Sequence, residues 1–345
     1  MSKHPQPFGW KPAPLADVQA RITTYYRTPE GATRTDLSNA EIVNVVTSGK
    51  GRIWVDVDSN YSMVWLALAQ TIGFHPLTIE DTLSPESRIK LEEYDGYLFV
   101  VSRDTNFNSG TEDPYDFETC NVYLYIGPTY LITVHQRPSR ATETVAERLA
   151  AGPELMDRGV DYLAYAVLDS LIDLYFPMLD EIDDFVDQLE VGIFQTQTNE
   201  TLGQIFELKR TLLALRRHHA PMREILATMA NRPSPYLSPG VQVYMRDVYD
   251  HVVRQVESIE TYRDLLTGAL EVYFSVISSR MNEIMKALTI VGTFLLPATW
   301  IASIYGMNFQ WMPFLHHPLG FWIALLIMLL ISFVLMAYLK MKRWL

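Results

Sequence analysis

The chain has 345 residues, a formal net charge of −12 and a single cysteine, Cys120. The acidic balance argues against nucleic acid as a partner and is compatible with cation binding. One cysteine cannot form a disulfide within the chain, so the composition gives no sign of an oxidising compartment. The segment 1–16 has four prolines and no apolar core; we expect no signal peptide there and predict disorder over residues 1–20.

The next part of the chain predicts a mixed α/β cytoplasmic domain over residues 21–158. Helices are expected near 63–72 and 142–151. Gly127-Pro128 separates the last two predicted strands, which indicates a hairpin. Short β-branched or aromatic runs predict the strands, at residues 52–57, 97–101, 122–126 and 130–134.

Residues 159–240 predict cytoplasmic antiparallel helices. One helix is expected to run from Asp161 to about Phe194, and a second from about Thr201 to Ala230, before a run of proline breakers. The first helix is rich in acids and the second in bases. This predicts two complementary solvated faces, and attraction of cations by the acidic helix is the alternative.

A long stalk helix is predicted over residues 241–304. No proline occurs between Gly240 and Pro297, and apolar residues recur at an average spacing of about 3.5, a helix-packing period. Such a helix would be roughly 95 Å long at 1.5 Å per residue, and only about 30 Å of it fits in a bilayer. We therefore place a transmembrane part at about 285–304. The alternative is a helix broken at Gly268.

The C-terminal end predicts a transmembrane hairpin, because no Asp, Glu, Lys or Arg occurs from Ala287 to Leu339. An extracytoplasmic loop at 305–318 leads to a second transmembrane helix at 319–339 and a basic tail at 340–345. Lys and Arg flank the hairpin at both ends but are absent from its loop. The positive-inside rule therefore predicts a multi-pass protein of the cell (inner) membrane with both termini in the cytoplasm.

The two spans differ in character. The first carries polar, small and apolar side chains at helical spacing, whereas the second is almost entirely apolar. We predict that the first faces a pore axis and the second faces lipid; the alternative is that the small polar residues only pack helices together. Two helices cannot enclose a pore, so a channel must be an oligomer, with the stalk as an assembly surface. The predicted pore-lining residues are Asn282, Met285, Leu288, Thr289, Gly292, Leu296, Thr299 and Ser303.

The first span ends in the sequence Tyr305-Gly306-Met307-Asn308-Phe309. This stretch, in this position, resembles the Gly-Met-Asn signature of the CorA family of divalent-cation channels, and four further segments are similar to that family: 281–283, 288–290, 312–313 and 342–345. The resemblance implies a homopentamer without enzymatic activity that admits Mg²⁺, and also Co²⁺, under the membrane potential. It implies a pore lined by the first span and a selectivity filter at Tyr305, Gly306, Met307 and Asn308.

A neutral filter suits Mg²⁺, which usually keeps several of its waters, because carbonyl and amide rings bind those waters without trapping the ion. We predict Asn308 as the outer ring and Gly306 as the residue that lets the chain turn and present carbonyls. The outer loop lacks the carboxylates that the family often has there. Its His316 and His317 would suit a transition metal, or are ordinary interfacial residues.

Two cytoplasmic segments, 75–81 and 244–250, resemble the family segments that carry regulatory metal sites. The resemblance implies that Asp81 and Asp247 meet across a subunit interface, with Glu80 and Asp169 nearby, and that bound Mg²⁺ holds the closed state. Asp173 is a rival of Asp169. Without metal, Asp81 and Asp247 are expected to be uncompensated carboxylates.

Two other functions remain open on the sequence. The first is a Zn²⁺, Co²⁺ or Ni²⁺ transporter of the same superfamily; the zinc-transporting relatives commonly have Ile where this chain has Met307, which argues against them. The second is a sensor or enzyme whose hairpin is only a membrane anchor. The polar stripe in the first span argues against an anchor.

Overall fold

The structure is a computed structural model that describes residues 21–58, 63–84, 87–107, 117–195, 199–307, 310, 312–314 and 317–342. Its chain divides into two compact units, one formed by Met1–Leu189 and Leu202–Leu266 and the other by Glu190–Thr201 and Thr267–Leu345. The disorder predicted for residues 1–20 lies outside the described residues.

A seven-stranded mixed sheet is the framework of the described part of the first unit. Its strands are β1 (Arg21–Arg27), β2 (Thr33–Arg34), β3 (Arg52–Asp58), β4 (Lys90–Tyr94), β5 (Tyr97–Phe107), β6 (Phe117–Ile126) and β7 (Tyr130–His135). Their order in space is β2-β1-β3-β7-β6-β5-β4. Only β3 and β7 pair in parallel among these neighbours. The four predicted strands and the hairpin between β6 and β7 are confirmed.

Ten helices occur in the described part of the chain. They are α1 (Asn39–Ser48), α2 (Met63–Ile72), α3 (Pro76–Leu83), α4 (Arg140–Ala151), α5 (Glu154–Arg158), α6 (Val160–Asp173), α7 (Tyr175–Gln195), α8 (Asn199–Asn231), α9 (Pro239–Tyr305) and α10 (Gly320–Met341). The predicted helices at 63–72 and 142–151 correspond to α2 and α4. Within α8 lies the predicted helix from Thr201 to Ala230.

Side-chain alternation along the strands gives the sheet an apolar cluster on each face. Ile53 packs with Trp65 and Ile42 of the helices α2 and α1. The neighbouring Trp54 faces the opposite way, into a cluster shared with α4, α6, α8 and the first part of α9. The helices that follow residue 159 therefore share a hydrophobic core with the sheet.

The single helix predicted from Asp161 to about Phe194 is wrong, because the chain forms two helices there. The first, α6, ends at Asp173, and the N–H of the capping residue Leu174 donates to the carbonyl of Ser170 at 3.4 Å. Pro177 lies in the first turn of α7, where a residue without an N–H leaves no helical hydrogen bond unmade. Pro177 is the sequence signal for this break.

The long helix α9 runs unbroken from Pro239 to Tyr305, so the alternative of a helix broken at Gly268 is excluded. Its apolar period is buried in the first unit, where Met245, Val248 and Val252 are fully enclosed. A Cβ added at Gly268 would meet no atom within 4 Å, so that glycine marks neither a close approach nor a break.

Within the residues that the structure describes, three helical segments are long and apolar enough to cross a membrane. The segment Val160–Ile193, which spans α6 and most of α7, has a mean hydropathy of 1.3, but 61% of its window is buried inside the protein, as expected of core helices. The windows in α9 and α10 have mean hydropathies of 1.8 and 2.6 and are each only 6% buried. Most of their apolar side chains are therefore exposed in the described single chain, which is typical of membrane-spanning helices.

Candidate pore helix and candidate metal centre

The residues predicted to line a pore lie on an exposed side of α9. Met285, Leu288 and Leu296 are 53%, 64% and 71% exposed, and Gly292 is the one half-buried member of the eight. The better-covered side of the same helix is formed by other residues, including Pro297 and the 9% exposed Ile301. The predicted stripe thus remains available for a contact outside the single chain.

Two threonines on this stripe bond back to their own helix. The hydroxyl of Thr289 donates to the Met285 carbonyl at 2.7 Å, and that of Thr299 donates to the Leu295 carbonyl at 2.8 Å. Because each hydroxyl donates its one hydrogen to the backbone, its oxygen can still accept hydrogen bonds from other groups. Such acceptors suit the water hydrogens around a hydrated cation.

Ser332 on α10 lies against α9, so one side of the second span contacts the first; that the span faces lipid stays a prediction. The side chain is 2% exposed, and its hydroxyl donates to the Phe294 carbonyl at 3.4 Å. An apolar medium offers a hydroxyl no other partner, so it is placed at a contact between helices. Leu326 and Phe333, on the remainder of α10, are 67% and 71% exposed.

The chain tightens at the Gly-Met-Asn stretch. The Gly306 N–H donates to the Ala302 carbonyl at 2.9 Å, and the Met307 N–H donates to the Ile304 carbonyl at 3.2 Å. Gly306 does not adopt a left-handed φ, and a Cβ there would lie 3.2 Å from the Ala302 oxygen. A side chain at this position would therefore be tightly packed against the last helical turn, and the role of Gly306 in presenting carbonyls stays a prediction. Asn308 lies outside the described residues.

The outer loop is tied to both helices. The Tyr305 hydroxyl donates to the Pro313 carbonyl at 3.2 Å, and His317 Nδ1 accepts from the Leu319 N–H at 3.2 Å. Of the adjacent histidines, His317 thus holds the start of α10, and His316 lies outside the described residues. A Cβ at Gly320 would collide with the carbonyl of Phe314, so this glycine permits the loop to close on α10.

A candidate metal centre lies between α6 and α9. Asp169, Asp173 and His251 place one ligand atom each within 4.8 Å of one another, the one such group of three in the part of the chain that the structure describes. His251 Nδ1 is 3.2 Å from Asp173 Oδ1, and His251 Nε2 is 4.0 Å from Asp247 Oδ2. Asp169 and Asp173, the two acids that the sequence left as alternatives, therefore both belong to the candidate metal centre. Asp247 lies at its edge.

Electrostatics at this centre favour a bound cation. Burial raises the pKa of Asp169, the charge of Asp173 raises it further, and His251 partly opposes both effects. Tyr165 donates a long hydrogen bond of 3.4 Å to Asp169 Oδ2. A divalent ion would relieve the repulsion between the acids. Carboxylate oxygens suit Mg²⁺, and the imidazole would also serve a transition metal.

Asp81 and Glu80 lie on α3 and do not join this centre within the described chain. Asp81 Oδ2 is 2.6 Å from Lys90 Nζ, and the same ammonium is 3.0 Å from Glu92 Oε2. The expectation of an uncompensated Asp81 is therefore wrong, because β4 begins with a lysine beside the end of α3. Glu80 is exposed, and Asp247 is 66% exposed.

The Lys90 ammonium is held charged by these acids. Partial burial alone would lower its pKa, but hydrogen bonds to Asp81 and then Glu92 outweigh that effect and raise it. Sequence reasoning missed both Lys90 and His251. His251 follows Asp247 by four residues and so shares its helix face, a signal that was present. Lys90 has no such signal, because only the fold brings it to Asp81.

A family model and individual relatives indicate the same family for this chain. The family model described as CorA-like Mg²⁺ transporter protein matches residues 49–343. The cobalt/magnesium transport protein CorA of Thermotoga maritima is 34% identical over 279 residues, which cover 81% of this chain and 79% of that protein. The putative metal ion transporter YfjQ of Bacillus subtilis is 32% identical over 308 residues, covering 89% and 94%.

Solved structures show the same fold. The complete CorA magnesium transporter from Methanocaldococcus jannaschii superposes with a TM-score of 0.78 at 21% identity, covering 94% of this chain and 98% of that one. The full-length CmaX protein gives 0.77 at 22% identity, covering 95% and 99%. The fold thus consists of an α/β domain, a long helix whose C-terminal part is apolar and a second apolar helix, and the matching family model is that of a class of metal-ion transporters. Within that class, this chain belongs to the CorA family.

Proposed function

We propose that this chain assembles into a homo-oligomeric membrane channel, a pentamer as the family resemblance implies, through which Mg²⁺ enters the cell. Co²⁺ is the second permeant ion. One observation carries the proposal: α9 leaves an uncharged stripe exposed along its membrane part, and the stripe leads to Gly306 and Met307. Relatives described as cobalt/magnesium transport proteins support the same choice of ions.

The stripe supplies the chemistry that a hydrated cation needs. Thr289 and Thr299 offer hydroxyl oxygens whose hydrogens are already used, and Asn308 adds an amide ring at the outer mouth. These groups accept hydrogen bonds from the ion's water shell, so Mg²⁺ passes without the full cost of dehydration. Exposed Met285, Leu288 and Leu296 form apolar rings that close the pathway by excluding water.

The proposed topology places residues 285–304 and 319–339 in the inner membrane. The loop 305–318 lies outside the cytoplasm, and both termini lie inside, because the lysines and arginines flank the hairpin and avoid its loop. Residues 21–158 and 159–240 are then cytoplasmic, and 241–284 form the stalk. The channel needs no enzymatic step, since a divalent ion gains about 4.6 kcal/mol per 100 mV of inside-negative potential.

Passive entry requires a mechanism that closes the channel, and we assign this regulation to the cytoplasmic acidic residues. Asp169, Asp173 and Asp247 gather beside His251 in one subunit, and Asp81 with Glu80 would join from a neighbouring subunit. Two carboxylates at about 4 Å repel by roughly 4 kcal/mol at an effective dielectric of 20. Internal Mg²⁺ reverses the sign of that interaction and holds the closed assembly.

A second candidate is transport of Co²⁺, Ni²⁺ or Zn²⁺ in preference to Mg²⁺. The imidazole of His251 in the candidate metal centre favours it, because nitrogen ligands suit these ions. The centre is cytoplasmic in the proposed topology. It therefore senses internal metal ions and does not select the ion that is transported. The proposed filter contains no imidazole or thiolate among Tyr305, Gly306, Met307 and Asn308.

Uptake of Mg²⁺, Co²⁺, Ni²⁺ and Zn²⁺ into liposomes tests the proposal directly. Purified wild-type chain is expected to admit Mg²⁺ fastest, followed by Co²⁺. The control is Asn308→Ala, which should assemble normally but lose Mg²⁺ uptake, because the amide ring that replaces outer-sphere water contacts is gone. Rapid uptake of Zn²⁺ or Ni²⁺ without Mg²⁺, or wild-type Mg²⁺ uptake by a correctly assembled Asn308→Ala protein, would contradict the assignment.

A further inference from the structure

We propose that Lys90 is a built-in competitor for the divalent cation at Asp81. In the metal-free protein its ammonium occupies the Asp81 carboxylate, and it thereby sets the Mg²⁺ concentration at which the site fills. The inference rests on the regulatory role proposed above for Asp81, and it identifies the side chain that tunes that role.

The geometry of the pair carries the inference. Lys90 Nζ lies 2.6 Å from Asp81 Oδ2, which is the short distance of a charge-assisted hydrogen bond. The two side chains are only 27% and 28% exposed, so water screens them less than it screens a surface pair. The Ser87 hydroxyl donates to the Asp81 backbone carbonyl, which links the end of α3 to the residues that lead into β4.

A metal ion and this ammonium require the same oxygen atoms. Mg²⁺ binds carboxylate oxygens at about 2.0–2.1 Å, which would place three positive charges within a few ångströms of one another around one carboxylate. The repulsion is removed if Lys90 withdraws. Metal binding at Asp81 therefore includes the cost of breaking the Lys90 pair.

The Lys90 ammonium retains a carboxylate partner when a metal ion binds Asp81. It keeps its second partner, Glu92, at 3.0 Å. The ammonium can thus leave Asp81 without losing all carboxylate contacts, which suits a reversible competitor better than a permanent structural bridge.

Mg²⁺ binding to the full-length chain in nanodiscs tests the inference by calorimetry, using the binding step that Asp81→Asn removes. Lys90→Gln should lower the midpoint of that step about two- to fivefold, the range expected for breaking such an ion pair. Lys90→Arg keeps the charge and should bind Mg²⁺ like the wild type. Lys50→Gln, which removes an exposed lysine elsewhere in the first unit, is the matched charge control and should leave the midpoint unchanged.

The coupling between the two residues supplies a readout that a structural role would not change. In the Asp81→Asn background, Lys90→Gln should have no further effect on Mg²⁺ binding. The inference is overturned if Lys90→Gln leaves the midpoint unchanged, raises it, or acts equally with and without Asp81. An absence of any Asp81-dependent Mg²⁺ binding in the wild type also overturns it.

Flux measurements separate this inference from the proposed function. If Lys90→Gln shifts Mg²⁺ binding but the wild type conducts no Mg²⁺ in liposomes, the channel proposal fails and the competitor role of Lys90 stands. If the wild type conducts and is closed by internal Mg²⁺ with the same midpoint in Lys90→Gln, the channel proposal stands and the competitor role fails.

Discussion

Asp169 is a carboxylate whose surroundings oppose its charge. Burial is the larger cause and the neighbouring Asp173 the next, and together they raise its pKa despite the nearby His251. An acid with a raised pKa in the folded state destabilises the fold at pH values above that pKa, and the lost stability returns as the pH falls through it. A divalent cation at the same position would remove this cost without a proton.

Protons should therefore compete with Mg²⁺ at the candidate metal centre. We predict that Mg²⁺ raises the melting temperature of the purified chain more at pH 7.5 than at pH 5.5, because at the lower pH more of the Asp169 carboxyls hold a proton that must leave before the metal binds. Asp169→Asn is the control, and it should reduce both the Mg²⁺ effect and its pH dependence. Equal Mg²⁺-induced shifts at both pH values in the wild type would contradict this account.

The residues of the site differ in how far the sequence could predict them. Asp169 and Asp173 could not be separated by spacing, since they lie four residues apart on one helix, and the structure places both at the centre. The Lys90 contact to Asp81 joins the start of a strand to the end of a helix. Such a pairing depends on the tertiary fold, which a local pattern does not encode.

At the scale of elements, each of the two apolar helices has an exposed side and a side that is covered by protein. On α9 the predicted stripe is exposed, while Thr293 and Pro297 are half-buried on another side. On α10 the buried Ser332 marks the contact to Phe294. A leucine at Ser332 would overfill that contact, at a cost of about 1–3 kcal/mol.

Two threonines of α9 offer a matched comparison of the two sides of that helix. Both Thr299 and Thr293 bond back to their own helix at 2.8 Å, but only Thr299 belongs to the stripe. Thr299→Val should slow Mg²⁺ uptake into liposomes about fivefold, because it removes one acceptor worth about 1 kcal/mol from the pathway of the hydrated ion. Thr293→Val should leave uptake near the wild-type rate. Equal effects would mean that the wrong side of α9 has been assigned to the pore.

The elements that the sequence predicted share strong local patterns. Buried runs rich in β-branched and aromatic residues predicted β3 and β7, and the long apolar period predicted α9. The missed strand β4 reads Lys-Leu-Glu-Glu-Tyr and lies at an edge of the sheet, where charged side chains are tolerated and no apolar alternation is required. The missed break at Leu174 follows from Pro177, a local signal that was overlooked.

At the scale of the whole molecule, the sequence predicted the fold class correctly: an α/β domain, a long helix and apolar C-terminal helices. Family membership was also predicted correctly. The number of subunits stays a prediction, because the spacing of residues in one chain does not encode the symmetry of an assembly. The proposed ion selectivity also stays a prediction, because it would depend on how copies of Asn308 and Thr299 from several subunits are arranged.

Mg²⁺ movement in liposomes at imposed membrane potentials tests whether the chain conducts Mg²⁺ passively. A passive channel should accumulate free Mg²⁺ by about three orders of magnitude at 100 mV inside negative, since about 4.6 kcal/mol acts on each ion. The gradient should collapse when the potential is removed. Accumulation that ignores the potential, or no Mg²⁺ entry at any potential in correctly assembled protein, would contradict the account.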